Sequence, residues 1–111
     1  MAEPTSFVSD SSLNEIVRRL VAAYRPEKIY LFGSKARGDE TPDSDFDVVV
    51  IVPDSSAPER RRSRLGYEAL RGTGLAVDVL VWTARYFESR RTVTAALPSI
   101  VGSEGQLLYA A

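Results

Sequence analysis

Leu31 to Val52 read LFGSKARGDETPDSDFDVVVIV, and the fold turns on the second half of this stretch. Phe46–Val52 is β-branched and almost continuously apolar, as expected of a strand buried on both faces. Asp45 and Asp47 stand at its start. Residues two apart on a strand share a face, so both carboxylates project to one side, about 6.5–7 Å apart along the backbone. A second apolar strand, Lys28–Phe32, runs into Gly33-Ser34. A glycine in that position lets backbone N–H groups approach phosphate oxygens closely, and the serine hydroxyl adds a donor.

Outward from this stretch the chain alternates helices and strands. Ser12-Leu13-Asn14-Glu15 has capping-box spacing, and Leu13, Ile16, Val17, Leu20 and Val21 recur at helical intervals. They predict a helix over about 12–24, ended by the Arg25-Pro26 step. Gly33–Ser44 is a polar loop, Pro53–Ser56 a turn, and Pro58 opens a helix expected to reach Arg71. Gly72 and Gly74 break that helix before Ala76–Trp82, read as another buried strand. Thr83 is placed to cap a helix over 84–96, with Pro98 as a breaker and Gly102–Ala111 as a tail. Strand, helix and strand over 46–82 make a crossover unit. The whole reads as an α/β fold: a small mixed β-sheet flanked by helices, with 1–10 a flexible N-terminal arm and 11–111 one domain.

Composition narrows the chemistry. A chain of 111 residues, 44% hydrophobic, has enough apolar content for one core and needs no covalent staple. Histidine and cysteine are both absent. That excludes disulfides, Ser-His-Asp and Cys-His catalysis, the common zinc sites and any imidazole base. A metal site here must use hard oxygen ligands, which favours magnesium, manganese or calcium. No apolar run is long enough to span a membrane, no secretory signal opens the chain, and a cytoplasmic location is expected. A net charge of −1 gives no strong sign of direct nucleic-acid binding.

Asp78 interrupts the otherwise apolar run Leu75–Trp82. If that strand lies beside 46–52, Asp78 joins Asp45 and Asp47 from about 4.8 Å away. Converging carboxylates resist ionising together unless a cation offsets their charge, and magnesium does so while leaving coordination positions for phosphates. A salt bridge from Asp78 to an arginine such as Arg37 is the plainer alternative. Two look-alike motifs fail. Gly33–Gly38 has Walker A glycine spacing, but Asp39-Glu40 follow where Lys and Ser/Thr are required. Asp43, Asp45 and Asp47 imitate an EF-hand loop whose sixth and twelfth positions would be Val48 and Asp54.

The ordered set Gly33, Ser34, Ala36, Arg37, Gly38, Ser44, Asp45, Asp47 and Asp78 closely resembles the signature of the minimal nucleotidyltransferase family, within the polymerase-beta-like nucleotidyltransferase superfamily. The resemblance implies that Asp45 and Asp47 bind two Mg2+ ions, with Asp78 a further ligand and possible base. Gly33, Ser34, Arg37 and Ser44 form the implied nucleotide-binding set, Gly33 and Ser34 holding the β- and γ-phosphates of ATP. Arg37 either neutralises phosphate charge or braces Asp45 or Asp47. The implied reaction transfers AMP from ATP to a hydroxyl and releases pyrophosphate. A stand-alone domain of this kind is similar to antitoxins that modify a tyrosine of a partner HEPN-type RNase toxin. Two rivals stay open: an antitoxin that acts by complex formation alone, and a catalytic subunit whose acceptor is a small molecule or nucleic acid held by a separate subunit. Arg60–Arg64 is read as a solvated basic helix face, and Trp82 as a packed core residue.

Overall fold

The computed structural model describes residues 11–33, 45–94 and 96–111. Four strands form one mixed sheet in the order β3-β2-β1-β4: β1 Lys28–Phe32, β2 Phe46–Val52, β3 Val77–Thr83 and β4 Gln106–Ala110. β1 pairs antiparallel with both β2 and β4, and β2 pairs parallel with β3. The helices are α1 Ser11–Tyr24, α2 Ser63–Ala69, α3 Ala84–Arg90 and α4 Leu97–Glu104, with a short 3-10 turn at Pro58–Arg61.

The apolar run of β2 is explained by its two-sided burial. Val48, Val50 and Val52 pack with Leu13, Ile16, Leu20 and Tyr24, the buried stripe of α1, together with Leu70. Val49 and Ile51 point the other way and pack with Tyr30, Phe87 of α3 and Val101 of α4. All five residues Val48–Val52 are buried. α1 ends just before the Arg25-Pro26 step, with Arg25 in the left-handed region at φ 49°. Glu15 is paired with Arg18 and Arg19. Their guanidiniums, that of Arg19 first, keep its carboxyl below the ordinary carboxylate range.

Four expectations are corrected. β3 is an edge strand and only Val79 in it is buried, because among the described residues no strand pairs with its outer side. The helix expected from Pro58 to Arg71 is split at Arg62, whose extended backbone (φ −110°, ψ 141°) presents its carbonyl to the Tyr24 hydroxyl. The helix expected over 84–96 stops at Arg90, and Pro98 stands in the first turn of α4 instead of breaking a helix. The expected tail is β4, recruited by the second edge of β1. Thr83 does cap α3, accepting from Tyr86 N–H at 3.2 Å.

Tyr24 couples these layers. Its hydroxyl donates to Arg62 C=O at 2.5 Å and accepts from Gly66 N–H at 2.7 Å. A Cβ on Gly66 would lie 2.9 Å from Val79 and 3.0 Å from the Tyr24 hydroxyl, so α2 sits this close only because residue 66 has no side chain. Burial pushes the Tyr24 phenol up to about 12. Tyr24→Phe should cost about 1–3 kcal/mol, because the buried Gly66 N–H loses its acceptor. The raised value means the folded state holds the phenolic proton after the unfolded state has released it. Stability should therefore decline as pH rises from 10 towards about 12, and less steeply in Tyr24→Phe. Urea unfolding of both proteins across that range checks both statements.

Candidate active site

The mouth of the sheet is set by strand register. Phe32 pairs with Asp47 across β1 and β2, and Asp47 pairs with Asp78 across β2 and β3. Phe46 N–H donates to Ala76 C=O at 2.9 Å, which fastens β2 to β3 at their leading ends. Asp47 is half-buried, while Asp45 and Asp78 are exposed. Strand alternation puts Asp47 and Asp78 on the sheet face that carries Val49, Ile51 and Trp82 further along, with Asp45 just before the strand.

The arrangement is an open ledge of carboxylates across two adjacent strands. Among the described residues, no group of three acidic side chains is close enough to form a metal-binding cluster. Asp47 and Asp78 are direct neighbours and Asp45 stands one strand repeat before Asp47. Oxygen-only donors in an incomplete set still fit magnesium, which commonly takes one or two carboxylates and completes its shell with water and substrate phosphates. Asp78 is not the buried charge that its apolar neighbours suggested, because the strand carrying it lies at the sheet edge. Among the described residues neither Asp45 nor Asp78 forms an ion pair.

Gly33 ends β1 with φ +78°, a left-handed backbone that favours glycine. A Cβ built there would overlap Asp47 Oδ2, so the glycine turn and the carboxylate ledge touch directly. Ser34, Arg37 and Ser44 lie outside the described residues. The basic turn is engaged locally: Arg61 donates to Ser56 C=O and Asp54 C=O, and Arg64 pairs with Glu68. Trp82 stacks on Phe87 at 6.1 Å between ring centroids, in keeping with a packing role.

One supporting residue had no sequence signal. Tyr67 Oη accepts from Val79 N–H at 3.2 Å, on the outer edge of β3 next to Asp78. It is an ordinary helix tyrosine until β3 is known to lack a strand on that side.

The mixed sheet thus carries a parallel strand pair with Asp47 and Asp78 in register beside a glycine turn. The model of the nucleotidyltransferase domain family matches residues 11–101, and the chain belongs to that family. No curated protein matches the sequence. Among solved structures, a chain of a toxin–antitoxin complex with AMP-PNP is 25% identical at a TM-score of 0.59, covering 88% of this chain and 73% of its own. A variant of the toxin–antitoxin MntA-HpeT is 26% identical at 0.57, covering 89% and 72%. A putative nucleotidyltransferase from Sulfolobus solfataricus shares the fold at 23% identity and a TM-score of 0.57, covering 99% and 92%.

Tyr67→Phe should remove the acceptor from Val79 N–H without disturbing either core. The expected loss is about 0.5–1.5 kcal/mol, with faster hydrogen exchange confined to the Val79 amide and its neighbours. Exchange measured by NMR on both proteins checks this.

Proposed function

We propose that this domain is a magnesium-dependent nucleotidyltransferase that moves AMP from ATP to a hydroxyl group and serves as an antitoxin. The observation that carries the reading is the in-register pair Asp47–Asp78, with Asp45 two residues before Asp47, in a chain of the nucleotidyltransferase domain family. Asp45, Asp47 and Asp78 would hold the divalent ions. When bound, such ions neutralise phosphate charge and clamp the attacking and leaving oxygens of an in-line displacement.

The chain's own residues do the rest. Gly33 and Ser34 offer backbone N–H groups and a hydroxyl to the β- and γ-phosphates. Arg37 and Ser44 belong to the same nucleotide-binding set, Arg37 by meeting phosphate charge or by bracing an aspartate. The acceptor oxygen attacks the α-phosphorus, the bond from that phosphorus to the α–β bridging oxygen breaks, and pyrophosphate departs. Asp78, exposed at the edge of the sheet, takes the acceptor's proton. Exposure supports this role because a macromolecular acceptor can reach the carboxylate from solvent. The toxin–antitoxin structures among the neighbours support a toxin as that acceptor, and a tyrosine of a HEPN-type RNase is the group we assign.

The test is label transfer in lysate of the native host, using ATP labelled at the α- or the γ-phosphate. A protein band labelled from the α-phosphate alone supports the reading, and sequencing it identifies the acceptor residue. A labelled RNA or small molecule moves the acceptor elsewhere. No label above that of the Asp45/Asp47 double variant favours inhibition by complex formation. Asp45→Asn and Asp47→Asn should each lower transfer at least about a hundredfold, equivalent to roughly 3 kcal/mol of transition-state stabilisation. Thermal melts should change little, since neither carboxylate is fully buried.

A further inference from the structure

We infer that Gly33 is a positioning residue for Asp47: the side chain it lacks is the space in which the Asp47 carboxylate stands. The three heavy atoms nearest to a Cβ at residue 33 all belong to Asp47, namely Oδ2 in overlap, Cγ at 3.3 Å and Cβ at 3.5 Å. Among the described glycines with left-handed backbones, Gly33 alone makes such a contact. Gly72 and Gly74 also have left-handed backbones, at φ +86° and +74°, yet a Cβ on either would meet nothing within 4 Å. Their requirement is backbone conformation alone. Gly33 carries the same backbone requirement and a steric one as well.

Asp47 cannot yield by moving its backbone. Its strand is paired with Phe32 on one side and Asp78 on the other, and the apolar run that follows is buried on both faces. The remaining freedom is rotation of the side chain, which turns the carboxylate away from the ledge it shares with Asp78. A methyl group at residue 33 therefore acts at a distance from its own backbone, by re-aiming a carboxylate. The consequence for metal binding rests on the nucleotidyl-transfer reading; the steric coupling does not.

Two measurements decide it. The first is a double-mutant cycle of Gly33→Ala and Asp47→Ala read by thermal melting. Gly33→Ala should lower Tm by several degrees in the native background and by clearly less when Asp47 is already alanine, since only backbone strain then remains. Equal losses in both backgrounds overturn the inference. Should Gly33→Ala alone fail to fold, a folded double variant supports the inference and an unfolded one overturns it. The second is Mn2+ affinity without nucleotide, measured by electron paramagnetic resonance. Gly33→Ala should bind at least about tenfold more weakly, as when a support of a metal ligand is lost, while Gly72→Ala keeps native affinity. Native affinity in Gly33→Ala overturns the inference. If the unsubstituted protein binds no manganese, the metal reading fails and the thermal cycle alone decides whether Gly33 makes room for Asp47.

Discussion

Side chains alternate up and down along a strand, so five consecutive buried residues can be hidden only if both faces of the sheet are covered. Val48–Val52 impose that constraint. One face takes α1 through Leu13, Ile16, Leu20 and Tyr24, and the other takes α3 and α4 through Phe87 and Val101. The same constraint locates the site. The apolar run begins at Val48, and the residues before it read Asp45, Phe46, Asp47. The carboxylates therefore stand where the strand enters the core, held by the core's rigidity yet open to water.

Edges explain where the charges are tolerated. β3 lies at one end of the sheet, so Asp78 stays solvated although its sequence neighbours are apolar. A buried aspartate without a partner would cost several kcal/mol, whereas an exposed one avoids most of that penalty. The outer edge of β3 is steadied by Tyr67, and α2, which carries Tyr67, is in turn fastened to α1 through Tyr24 and the cleft at Gly66. A helix on one face thus helps fix the backbone of a site that opens on the other.

Much of this was readable in the chain. The period of Leu13, Ile16 and Leu20 marked α1, and the β-branched run marked β2 with Asp47 near its start. What escaped depended on tertiary partners. Nothing local distinguishes an edge strand from a central one when both are apolar, so Asp78 read as buried. The break at Arg62 arises because its carbonyl bonds to Tyr24, 38 positions earlier. Leu107-Leu108-Tyr109 became a strand because β1 offered an unpaired edge, and Pro98 opened a helix because its fixed φ suits a first turn. The contact between Gly33 and Asp47 was equally invisible, since they stand 14 positions apart in the sequence and the register of β1 on β2 brings them together.

The most direct test of this account is a crystal structure with Mn2+ and a non-hydrolysable ATP analogue, read by anomalous scattering. Manganese should bind directly to carboxylate oxygens of Asp45, Asp47 and Asp78, next to the triphosphate. Nucleotide bound without metal at these aspartates, or manganese held elsewhere on the protein, would contradict it.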